Sequence, residues 1–118
     1  MTPDDLRRIA LSMPGAIESS HMGHPDFRAN GKIFATLGPP GKVWAMIKLT
    51  PGQQRDFVAE APEMFVPVKG GWGAGGATNV QLDAVDETTL RGAIECAFRN
   101  VPVKAAAAPR KRTARRAS

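Results

Sequence analysis

The chain has 118 residues, 42% hydrophobic and 23% charged, with a formal net charge of +5, which fits one compact domain able to bury a core without disulfides. The lone cysteine, Cys96, excludes a disulfide framework within one chain and leaves no cysteine pair for a zinc site. No run of about 20 apolar residues is present to span a bilayer. Met1-Thr2-Pro3-Asp4-Asp5 is acidic where a secretory signal is basic, so a cytoplasmic protein is expected.

Thr2 as cap, Pro3 at the first helical position and Asp4 and Asp5 in the first turn predict a helix. Leu6, Ile9, Ala10 and Met13 give it one apolar stripe, and Pro14-Gly15 stops it. Residues 18 to 29 read as one broken strand or two short ones, interrupted at Gly23 and Pro25. Asn30-Gly31 suits a type I′ turn and folds Asp26–Ala29 against Lys32–Leu37, where Ile33, Ala35 and Leu37 alternate with Phe34 and Thr36. Gly38-Pro39-Pro40-Gly41 predicts a rigid turn, and Val43–Leu49 a strand with Val43, Ala45, Ile47 and Leu49 on one face.

Thr50-Pro51-Gly52-Gln53 is a capping box opening a second helix, with Gln54, Phe57, Val58 and Ala61 inward. Phe65–Val68 predicts a short strand, Gly70–Gly76 a flexible loop, and Asn79–Leu82 a strand with Val80 and Leu82 inward. Asp86 caps a last helix with the stripe Leu90, Ile94, Ala97, Phe98 and Val101, ended by Pro102. The order is helix, about three strands, helix, two strands, helix. It predicts an α+β, two-layer domain over residues 1 to 103: an antiparallel sheet of about five strands with helices on one face.

Residues 104 to 118 differ in kind. They hold Lys104, Arg110, Lys111, Arg112, Arg115 and Arg116, no acidic residue, and no aromatic or branched apolar residue to bury, so a disordered tail is expected. The first 103 residues hold ten basic and eleven acidic groups. The excess positive charge is therefore the tail's.

Met13-Pro14-Gly15-Ala16-Ile17-Glu18, Ser20-His21-Met22-Gly23-His24-Pro25-Asp26-Phe27-Arg28, Gly31–Leu37, Lys48-Leu49-Thr50-Pro51 and Gly71-Trp72-Gly73 together resemble the MmcQ/YjbR family. The similarity covers roughly residues 3 to 102 and rests on many short blocks in order. It implies a two-layer α+β fold like that of type III secretion chaperones, with a relation to CyaY, and it implies DNA binding. It brings no catalytic residues.

Candidate phosphate contacts in the body are Arg28 and Lys32 flanking the Asn30-Gly31 turn, Lys42 after the Pro-Pro turn, and Lys48 and Lys69. Their plainer reading is solubilising charge at a sheet edge. The six tail cations add non-specific affinity. His21, His24 and Asp26 are metal-like in type, but positions 21 and 24 on one regular strand face opposite ways, so joint ligation needs a bend at Gly23; structural histidines and no metal site are expected. Glu18 with His21, and Ser19 or Ser20 as nucleophile, is the one catalytic arrangement the residues suggest, and it has no third, orienting group. Gly70–Gly76 leads into a strand and not a helix, so it is not a phosphate cradle. Trp72 docks on the body or a partner, and Trp44 lies opposite Val43, Ala45 and Ile47. An iron-binding acidic ridge, which the CyaY relation raises, is not expected on a first helix with Arg7 and Arg8 after its two acids. Cys96, between Ile94 and Ala97, is expected to be inert.

The sequence thus points to a small, non-enzymatic, cofactor-free DNA-binding domain acting weakly and without sequence specificity. The alternatives are a protein-binding adaptor or homodimer using the open sheet face, and an enzyme using His21 or His24. No membrane partner is expected.

Overall fold

The computed structural model describes residues 1–21, 23–38 and 43–101. The expected Pro-Pro turn at 39–41, Lys42 and the basic tail lie outside these residues. Four helices and six strands follow in the order α1 (Pro3–Leu11), β1 (Ile17–His21), β2 (His24–Ala29), β3 (Lys32–Leu37), β4 (Trp44–Lys48), α2 (Pro51–Glu60), β5 (Phe65–Pro67), α3 (Gly71–Ala74), β6 (Ala77–Gln81) and α4 (Glu87–Arg99). The sheet is antiparallel throughout, in the spatial order β1-β2-β3-β4-β6-β5. This is the expected α+β class with one strand more, because residues 17 to 29 form two paired strands. Among the described residues no helix is long and apolar enough to cross a membrane.

Local signals set the helix starts. Thr2 and Asp5 form a full capping box on α1, Thr50 and Gln53 another on α2, and the Asp86 carboxylate accepts from Thr89 N at 2.7 Å to open α4. Asn30 and Gly31 take φ of 51° and 79°, the left-handed pair that a type I′ turn requires.

The core lies between the inner sheet face and α1 and α4, where Leu6, Ile9, Phe27, Phe34, Ile47, Val80, Leu90 and Ile94 are all fully buried. Residue α4 side chains sit over β3 and β4 while α1 packs on α4 and β2. The expected alternation along β3 fails at a bulge: Phe27 pairs with Ala35, but Arg28 pairs with Ile33. The extra residue, Phe34, turns into the core beside Ala35 and meets Phe98 edge-on at 5.6 Å. Val43 lies before β4 and is 46% exposed, so only Ala45, Ile47 and Leu49 of the predicted stripe are buried.

Helix α2 buries no residue completely; Phe57, Val58 and Ala61 pack against the core while Gln54 braces the glycine-rich segment. Its Nε2 donates to Gly73 O at 2.9 Å and Ala77 O at 3.0 Å. That segment, expected to be a flexible loop, contains the one-turn helix α3. Gly73 approaches the Val68 carbonyl so closely that a Cβ there would meet its oxygen at 1.5 Å.

Among the described residues no helix packs across the other sheet face. Register places one row across all six strands: Ser19, Asp26, Thr36, Met46, Asn79 and Val66. Cross-strand partners share a face, so His21, His24, Arg28, Trp44 and Lys48 also belong to this outward side.

Candidate functional site

Polar chemistry gathers at both ends of the sheet. At the first end, antiparallel pairing brings together residues far apart in sequence. β3 begins at Lys32, β4 ends at Lys48, and β5 ends two residues before Lys69, all at the same end as the β2–β3 turn and α3. Trp72 of α3 is 66% exposed and stands 5.7 Å from Lys48 Nζ, within cation–π range. The C-terminus of α4 reaches the same place. Asn100 Nδ2 donates to Lys48 O at 3.1 Å and to Gln53 Oε1 at 2.8 Å. The chain therefore leaves the described body at Val101 beside Lys48, and the basic tail follows.

Carboxylates neutralise most of the body's arginines. Arg7 pairs with Asp4 and with Glu18 at 2.9 Å, Arg8 with Glu87 at 3.1 Å, Arg91 with Glu87 at 3.3 Å and Arg99 with Glu95 at 3.5 Å. Among the described residues Lys32, Lys48, Arg55 and Lys69 have no carboxylate within ion-pair distance, so the uncompensated lysines are those at this end. Arg28 is not with them. It pairs in register with Ile33 while Lys32 pairs with Ala29, so Arg28 and Lys32 point to opposite faces and make no two-cation wing.

At the other end the β1–β2 hairpin builds a polar cluster around Asp26. Its carboxylate is fully buried and accepts from Arg28 Nε at 2.7 Å and Nη2 at 3.1 Å, with His21 Nδ1 at 2.7 Å from Oδ2. The Arg28 guanidinium, opposed by burial and helped by His21, holds the Asp26 carboxyl below its ordinary range, and Asp26 in turn raises Arg28. Beside the cluster is a shallow depression of about 350 Å³, walled by His21, His24, Thr36, Trp44, Met46 and Asn79. Trp44, 37% exposed, is thus a wall of the outward face and not a core residue.

The catalytic arrangement considered from sequence is not assembled. Glu18 pairs with Phe27 on the inner side and bonds to Arg7, whereas His21 faces outward. Among the described residues no set of three or more His, Cys, Asp or Glu side chains is arranged to hold a metal ion. Cys96 is half-buried on α4 and packs against the core. The depression itself was not foreseen. Its signal was the alternation of 44, 46 and 48 against 45 and 47, which puts Trp44 and Met46 on one side.

Residues 11–100 match a family model described as YjbR. The chain belongs to the YjbR family. The YjbR match includes the three lysines, the Asp26 cluster and the start of the tail's attachment at Asn100, and it leaves the tail itself outside. No curated protein matches the chain. The YjbR region is similar in fold to the crystal structure of Deinococcus radiodurans protein DR2400, described as a DUF419 domain. The two share 17% identity at a TM-score of 0.66, over 82% of this chain and 75% of that one.

Proposed function

We propose that this YjbR protein is a cytoplasmic, non-enzymatic DNA-binding domain that grips the phosphate backbone weakly and without sequence specificity. The observation that carries the reading is the bond from Asn100 to Lys48, which roots the basic tail at the sheet end bearing Lys32, Lys48 and Lys69. Six tail cations unopposed by carboxylate follow in sequence from that end, and with its three uncompensated lysines they outweigh the small net negative charge of the first 103 residues. Each phosphate neutralised releases condensed counterions, so affinity falls with salt by about 0.9 in log–log slope per contact. The tail alone gives a slope near −5, and tail plus three lysines about −8. Contacts to phosphate carry no base-edge information, so binding driven by these cations is weak at physiological salt and blind to sequence.

The test is a salt series on a random-sequence duplex with the full chain, residues 1–103, and a Lys32→Gln/Lys48→Gln/Lys69→Gln variant. Truncation removes most of the affinity and leaves a slope no steeper than about −3, and the triple variant loses about three units of slope. Tight, sequence-specific binding by residues 1–103 refutes the assignment to tail and lysine end. A second reading, a protein-binding adaptor or homodimer, is favoured by the exposed Ile17, Trp44 and Val66 on the outward face. It predicts a concentration-dependent dimer, or a partner complex, lost on Trp44→Ser.

A further inference from the structure

Joint use of His21 and His24 needs a bend at Gly23, and the β1–β2 hairpin supplies it. Gly23, at φ 81°, helps turn the chain so that His21 ends β1 and His24 begins β2 as direct partners. Partners across an antiparallel pair project to the same face. Their ring centres are 6.3 Å apart and their planes meet at 35°.

The His21 ring is also oriented. Asp26 Oδ2 lies 2.7 Å from Nδ1, which occupies that nitrogen and leaves Nε2 as the one available to a ligand. Arg28 locks Asp26 from the other side. A buried carboxylate behind an imidazole is the arrangement that sets tautomer and ring direction in metal-binding histidines and strengthens them as donors.

We propose that His21 and His24 together bind one borderline divalent transition-metal ion, of the Zn²⁺, Ni²⁺ or Cu²⁺ kind, with Asp26 as the positioning residue. Two imidazoles without thiolates select this class over hard cations such as Mg²⁺. With metal–nitrogen bonds of about 2.0–2.1 Å, ring centres fall roughly 5 to 6.4 Å apart for angles from tetrahedral to linear. The 6.3 Å observed is at the open end of that range, so a small side-chain rotation closes it. Asp26 is not a ligand, since its oxygens are committed to Arg28 and His21. The remaining coordination positions face the depression beside Trp44 and Asn79, where water or an exogenous donor completes them.

The experiment uses the full chain without a polyhistidine tag, titrated with Zn²⁺ and followed by calorimetry and by two-bond ¹H–¹⁵N spectra of the imidazoles. One equivalent binds and shifts the His21 and His24 ring resonances. His21→Ala and His24→Ala each weaken binding at least tenfold, and His24→Ala leaves the Asp26 network in place, so it reports the ligand and not the fold. Asp26→Asn weakens binding about 10- to 100-fold, and its metal-free spectrum shows the His21 proton no longer confined to Nδ1. The proposal is overturned if Zn²⁺ does not bind at millimolar concentration, or if His24→Ala binds it as the original chain does. If Asp26→Asn stays folded and keeps full affinity, the positioning role is overturned.

Discussion

Replacing Asp26 by Asn takes one charge out of the outward face and leaves side-chain size unchanged. Asp26 is fully buried and serves two donors, Arg28 through two bonds and His21 through one. Hydrogen bonds to charged groups contribute about 1.5–3 kcal/mol each when shielded from water. The Arg28 and His21 side chains are 32% and 39% exposed, and water replaces part of what they lose. Counting each partner at about 1–1.5 kcal/mol, the substitution costs about 2–3 kcal/mol at pH 7. With a urea dependence of about 1 kcal/mol per molar for a domain of this size, the unfolding midpoint falls by about 2–3 M.

The pH dependence separates a charge effect from a packing effect. The Arg28 guanidinium holds the folded-state carboxyl below its unfolded value, which is about 3.9. A depressed carboxyl contributes stability that is fully present above the unfolded value and is lost as pH falls through the folded one. The Asp26 contribution to the gap between the two proteins therefore narrows below about pH 4. Urea titrations at pH 7, 5, 4 and 3 measure it directly. A gap under about 0.5 kcal/mol at pH 7, or one that does not narrow in acid, refutes the reasoning.

Gly73→Ala sets a methyl group 1.5 Å from the Val68 carbonyl oxygen, so the segment between β5 and β6 must move; a loss of about 2 kcal/mol or more is expected in thermal melts. Gly31→Ala meets open space but keeps φ of 79°, and its cost, about 1–2 kcal/mol in chemical denaturation, is purely conformational. Ile94→Ala empties a fully buried position under the sheet and lowers stability by about 2–5 kcal/mol.

Sequence exposes those parts of this fold that rest on local chemistry. The capping boxes at Thr2 and Thr50, the Asp86 cap and the Asn30-Gly31 turn are each made by residues within four positions of one another, so their signals survive without tertiary context. The place of β6 between β4 and β5 has no such signal, because it depends on pairing across α2. Helix α3 was hidden for a related reason. Its glycine-rich sequence favours no helix, and Gln54 holds it from a different element. The lysines were visible one by one, while their meeting at one end follows from strand direction. The pairing of His21 with His24 turns on whether the chain bends at Gly23, and a hairpin there changes which residues are neighbours.

The sheet order has a consequence for how the molecule opens. β1 to β4 form one meander of sequence neighbours and β5, α3 and β6 a second local unit; the sheet joins them only along β4 and β6. Helix α4 lies across β3 and β4 and against α1, bridging the seam from the inner side. Amides of β4 and β6 should exchange with solvent deuterium only through global unfolding, whereas the outermost strands, β1 and β5, fray first. The same seam makes the second unit exchangeable between chains. If α2 swings out as a hinge during refolding at high concentration, β6 from one copy can complete the sheet of another with every native contact kept, yielding an intertwined dimer that separates only by unfolding.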